Sequence, residues 1–217
     1  MNRVLGILLL LSWCVALLFV RVMKSGTVTY AFLLWNLILA IVPAVAASAF
    51  SRACRRDGAV ALPLVCGLAW LAFLPNAPYI ATDFLHLRPR PPVPLWFDVA
   101  LLLSCTVAGL LLCYVSVAEV QSALRRRLGV VQSWLCAIAA LFLCGFGIYL
   151  GRFLRWNSWH VLTDPFGLLA DVVARVTNPL AHPRTVAITV LYGVGLVVGY
   201  GVFCGMGGGE REVSGSR

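Results

Sequence analysis

Long uncharged apolar runs govern what this chain can fold into. Residues 4–20, 30–50, 95–118, 130–150 and 185–204 contain almost no charge. Each comes close to or passes the ~20 residues a helix needs to cross a ~30 Å hydrocarbon layer. A sixth run, 59–74, is shorter and stops at Pro75. In lipid every backbone N–H and C=O must be paired within the protein, so only helices and closed barrels span. A barrel would show alternating strands of about ten residues; continuous runs exclude it. The chain is 61% hydrophobic and 12% charged, against about 25% charged for a soluble domain. The expectation is an all-α polytopic transmembrane helix bundle of about six spans. Their approximate bounds are 4–21, 30–50, 59–75, 95–118, 130–151 and 185–204, within one domain covering 1–204. The first run is followed by Arg21-Val22-Met23-Lys24 and no small-residue cleavage site, so it reads as a retained span.

Charge sets orientation. The net charge is +9, from 17 basic and 8 acidic residues. On a membrane protein this excess orients loops and meets anionic headgroups. Membrane lipids are the expected partners, and nucleic acid is not. Arg52, Arg55 and Arg56, and then Arg125, Arg126 and Arg127, sit in short loops, which predicts both termini on the cytoplasmic side. Six crossings then place the 75–94 loop and the 152–183 loop on one face, the outer one. None of the eight cysteines forms a CxxC pair, and packing is their expected role.

The 75–94 loop holds the first group of candidates. Pro78 suits a first helical position, so Tyr79, Asp83 and His86 would share a helix face. Asp83 and His86 are the candidate catalytic residues, as an acid–base pair or as two metal ligands. The plainer alternative is that Asp83 orients His86 or caps a turn. A metal would need a third ligand, for which Asp98 is the candidate; no metal or other cofactor is otherwise indicated. Asp98 is also explained by the helix macrodipole, which favours a carboxylate in a first turn by ~0.3–1 kcal/mol. The stretch 88–94, with four prolines, reads as a stiff polyproline-type connector.

The 152–183 loop holds the second group. Arg152 and Arg155 offer forks for a carboxylate or phosphate. Asn157 and Ser158 lie among Trp156 and Trp159, residues that favour the interface. With Asn76 and Tyr79 from the other loop, these form a candidate anion or lipid-headgroup site. The plainer reading is an aromatic belt with basic anchors, or a structural lock in which Arg152 and Arg155 pair with Asp83 and Asp98. Asp164-Pro165 is an N-cap and N1 pair. It opens an amphipathic helix over about 165–177, with Asp171 and Arg175 four apart on the polar side, ended by Asn178-Pro179. That length suits an interfacial helix, not a span.

Elsewhere, Glu119 is expected in a solvated loop, and Asn36 as polar glue between helices. Gly145, Gly147 and Gly151, and Gly193, Gly195, Gly199 and Gly201, are expected to permit close helix packing, with Gly147-x₃-Gly151 and Gly195-x₃-Gly199 at small-xxx-small spacing. Residues 205–217 read as a polar disordered tail. No P-loop, HExxH, GxSxG or dinucleotide fingerprint occurs.

Leu74-Pro75-Asn76-Ala77-Pro78-Tyr79, Thr82-Asp83, His86-Leu87, Trp96-Phe97-Asp98 and the run from Arg152 to Trp159 resemble a bacterial membrane family filed as domain of unknown function 1361. The resemblance spans roughly residues 65–200. It implies a multi-pass protein of the bacterial inner (plasma) membrane and no activity, so no catalytic residue follows from it. The leading expectation is recognition or processing of an anionic lipid-like molecule at the outer membrane interface. The alternatives are a transporter or permease component, which needs a polar path through the bundle, and a non-enzymatic assembly or interaction protein.

Overall fold

The computed structural model describes residues 3–56 and 61–214, with side chains from 4 to 56 and 61 to 206. The first two residues of the third expected span and residues 215–217 of the expected tail lie outside the described residues. Among the described residues there is no strand apart from one isolated bridge, and six helical stretches are long and apolar enough to cross a membrane. The protein is therefore an all-α polytopic membrane protein. It divides into two compact units, 1–123 and 124–217.

Unit 1 is built from α1 (Arg3–Ser25), α2 (Phe32–Ala53), α3 (Ala61–Phe73), the short α4 (Asn76–Tyr79), a 3₁₀ segment (Ile80–His86) and most of α5 (Leu95–Leu128). Three side-chain hydrogen bonds tie α1, α3 and α2 to α5. The Trp13 indole donates to Ser104, the Trp70 indole to Ser116, and the Ser48 hydroxyl to Glu119, at 3.3, 3.3 and 2.9 Å. In an apolar surround each such bond fixes the rotation of a helix about its axis, which apolar contact alone leaves soft. Leu101, Leu102, Leu112 and Val117 of α5 are buried between them. Leu8, Phe19, Trp35 and Leu68 are exposed on the outer sides of their helices, as lipid-facing surfaces require.

Several boundaries differ from the sequence reading. Helix α5 continues ten residues past Ala118, so Glu119 is a helical residue bonded to Ser48 and not part of a solvated loop. The third helix does stop before Pro75 as expected, ending at Phe73. Pro75, not Pro78, precedes the new helix: α4 starts at Asn76, Pro78 is its third residue rather than its first, and the chain continues as 3₁₀ to His86. The 88–94 stretch is not a rod: the Val93 N–H returns to the Arg90 carbonyl at 3.2 Å, because Val93 buries its side chain.

Unit 2 contains α6 (Val130–Phe153), α7 (His160–Thr163), α8 (Pro165–Thr177), a 3₁₀ turn (Pro179–Ala181) and α9 (Pro183–Ser214). Helices α6 and α9 pack on glycine. A Cβ at Gly145 would meet the Thr189 carbonyl at 2.8 Å, and one at Gly193 would meet the Phe142 ring at 2.6 Å. A Cβ at Gly195 would meet nothing within 4 Å. The close approach thus uses Gly145 and Gly193, both among the glycines expected to permit it, while Gly195 takes no part. Helix α9 runs ten residues beyond Cys204 into the stretch expected as a disordered tail; extending a formed helix costs far less than nucleating one. Among the described residues no disulfide occurs, and Cys14, Cys105, Cys113 and Cys144 are buried.

Candidate functional site

In unit 1 the polar residues gather where α1 ends and α5 begins. Helix α1 continues past the expected end at residue 21, which turns Arg21 inward. Its Nε and Nη2 donate to the two Asp98 oxygens at 3.1 and 3.4 Å, and Nη1 donates to Ser25 and Thr27 at 2.9 and 3.2 Å. The guanidinium also lies over the Tyr30 ring, 4.8 Å from its centroid, and Arg90 lies over the same ring at 5.2 Å. Burial, and then the Asp98 charge, push the Tyr30 phenol above its ordinary value. Asp98 is therefore engaged by a cation expected only at the end of the first span. Among the described residues no three His, Cys, Asp or Glu side chains gather as a metal-ligand set.

Asp83 is buried and accepts from the Asn36 amide at 2.8 Å. Asn36 is polar glue as expected, joining α2 to the 3₁₀ segment. In a 3₁₀ helix residues three apart eclipse, which aligns Asp83 with His86. His86 nevertheless stands exposed at the segment's end, edge-on to Phe32, with its carbonyl 3.5 Å from the Tyr30 hydroxyl. Asn76 donates to the Phe73 carbonyl at 2.9 Å, closing the end of α3, and the Tyr79 carbonyl accepts from Thr82 at 2.7 Å.

Unit 2 organises the other candidates around α8. Asp164 caps the helix as expected, its Oδ1 accepting from the Gly167 N–H at 3.0 Å. Asp171 and Arg175 form an ion pair at 2.7 Å. The Trp156 indole donates to the second Asp171 oxygen, also at 2.7 Å. That bond, opposed by partial burial and reinforced by Arg175, holds the Asp171 carboxyl below its ordinary range. Trp156 is thus a tether between the end of α6 and α8. Trp159 stays exposed and meets His160 edge-on. His160 Nδ1 accepts from the Asn157 N–H at 3.0 Å, which fixes the turn and leaves the Asn157 side chain outward. Arg152 is half-buried in the last turn of α6. Arg155 is exposed, with φ of 61°, while the Trp156 N–H returns to the Leu150 carbonyl.

The family model described as a protein of unknown function, DUF1361, matches residues 35–198. The chain belongs to that family. No curated protein and no solved structure matches it. The DUF1361 match takes in Asn36, Asp83, Asp98 and the whole 152–183 segment, and stops short of Arg21.

Sequence reasoning missed Arg21 and the role of Trp156. Nothing local marks Arg21 as buried. For Trp156 a signal existed, because Asp171 and Arg175 on the polar side of an amphipathic helix require something to dock against.

Proposed function

We propose that unit 2 binds an anionic amphiphile at the outer membrane interface through the segment 152–183. One observation carries this reading. Helix α8 is not a span, yet Phe166, Leu169, Val173 and Val176 stand exposed along one side of it, Phe166 at 84%, and Leu162 and Leu180 flank it at 86% and 95%. An apolar ridge of this kind on a short amphipathic helix suits burial among lipid chains. Its opposite side is tied down by Trp156, Asp171 and Arg175, so the helix lies flat in place of crossing. Arg152, Arg155, Arg175 and Arg184 then stand at the depth of lipid phosphates, and Trp159 favours the same depth.

Recognition is favoured over chemistry. An acid–base role for Asp83 and His86 needs both groups at one surface, and Asp83 is buried while His86 is exposed. The experiment is to quantify the lipids that co-purify with the wild type and with the variant Arg152→Ala/Arg155→Ala. Depletion of anionic lipid in the variant is expected; identical lipid profiles would overturn the reading.

A further inference from the structure

Among the described residues four buried side-chain polar atoms have no hydrogen-bond partner: Thr106 Oγ1, Arg175 Nε, Thr185 Oγ1 and Thr189 Oγ1. Three of the four fall in unit 2, and they cluster. Thr185 and Thr189 stand one turn apart on α9, so they share a face. Thr185 is only 4% exposed. The Tyr149 hydroxyl, on α6, lies against both Thr185 and Arg175. A helical threonine ordinarily returns its hydroxyl to a carbonyl one turn back, as Thr177 does to Val173 at 2.7 Å. Thr185 and Thr189 do not. The Thr189 hydroxyl thus carries a desolvation penalty that no hydrogen bond offsets, and Thr185 has only the Tyr149 hydroxyl beside it.

Charge and depth narrow what fits. Arg184 lies over the Phe153 ring at 5.5 Å, and its charge reaches Tyr149. Arg175 and Arg184 against Asp171 leave one positive charge in excess. Thr185 is in the first turn of α9, and Tyr149 is four residues inside the end of α6, ~6 Å along its axis. Both lie near one end of a candidate span, where headgroups are within reach. Hydroxyl and guanidinium N–H groups are donors suited to an oxyanion.

We propose that Tyr149, Arg175, Thr185 and Thr189 form a headgroup subsite for a singly charged oxyanion, a phosphodiester or a carboxylate carried on an acyl chain. The subsite rests on the lipid-binding reading of the 152–183 segment.

The test uses the delipidated full chain in a neutral maltoside detergent. Thermal unfolding is followed against phosphatidylglycerol, oleate, inorganic phosphate and an uncharged diacylglycerol. The wild type should be stabilised by phosphatidylglycerol or oleate, whichever carries the matching oxyanion, and not by diacylglycerol. Thr185→Val/Thr189→Val keeps the side-chain shape, so its unliganded midpoint should hold or rise. It should need about tenfold more lipid for half-saturation, the effect of losing hydrogen bonds to a charged group. Thr185→Ser/Thr189→Ser should restore the wild-type response. Stabilisation by inorganic phosphate as well would assign recognition to the oxyanion without its chains. Equal half-saturation in the wild type and the valine variant overturns the subsite. If Arg152→Ala/Arg155→Ala loses the response while the valine variant keeps it, the segment still binds lipid and the subsite alone falls. A wild type inert to all three anions overturns both.

Discussion

Arg21 and Asp98, 77 residues apart in the chain, meet through both carboxylate oxygens with each side chain only 1% exposed. The pair joins the end of α1 to the first turn of α5. Two charges out of water are tolerable only together, so removing one should cost about 3–5 kcal/mol. Arg21→Met and Asp98→Leu are each expected to lower the unfolding midpoint in detergent strongly. The double variant should recover most of the loss, because an apolar pair of similar volume avoids the desolvation penalty. Additive losses in the double variant would show that the two side chains act independently.

Close packing makes a second test. A Cβ at Gly109 on α5 would run into the backbone carbonyl of Ala77 in α4. Backbone cannot swing aside as a flexible side chain can. Gly109→Ala should therefore destabilise unit 1 by about 1–3 kcal/mol, the usual scale of overpacking. Gly195→Ala is the control. Its Cβ would meet nothing within 4 Å, and helix propensity should make it neutral or stabilising by up to ~1 kcal/mol. Unfolding midpoints of the two variants should move in opposite directions or differ clearly in size.

Docking of α8 should depend on pH through Asp171. Its carboxyl is held below the ordinary value of 3.8, first by the Trp156 indole and then by Arg175. A depressed carboxyl stabilises the folded form above the unfolded value and loses that contribution as pH falls through the folded one. Amide protection factors across α8, the slowing of exchange relative to the free peptide at the same pH, should therefore be high at neutral pH and fall once pH drops below 3.8. Trp156→Phe removes the largest cause, so the fall in protection should be centred at higher pH. Asp171→Asn should be less protected at neutral pH and show no such fall.

What could be read in advance follows the distance over which each signal acts. The spans are written in runs of consecutive residues, and α8 is bracketed by Asp164-Pro165 and Asn178-Pro179, so both were legible. Arg21 was not, because its partner lies 77 residues away. A cation just past an apolar run reads as an anchor until the helix is seen to continue to Ser25. The packing glycines were legible as a set, Gly145 and Gly193 among them, but not which of them meet a partner. Spacing gives the faces a helix offers, and only the partner decides that Gly193, not Gly195, is used. Of the candidate site, the cationic and indole residues were legible by type. Thr185 and Thr189 were not, since a threonine in a span ordinarily satisfies itself.

Arg155 separates fold from charge. It sits at φ 61° just after α6, a left-handed conformation that costs a residue with a Cβ roughly 1–2 kcal/mol. Glycine adopts it freely. Arg155→Gly should therefore raise the unfolding stability of the delipidated protein by about 1 kcal/mol, whereas Arg155→Ala keeps the strain and should leave it nearly unchanged. Both remove the same guanidinium, so both should weaken binding of anionic vesicles to the same extent, and the loss should shrink as salt screens the charge. A stabilised Arg155→Gly variant with undiminished vesicle binding would mean that Arg155 serves the chain's course and not the lipid.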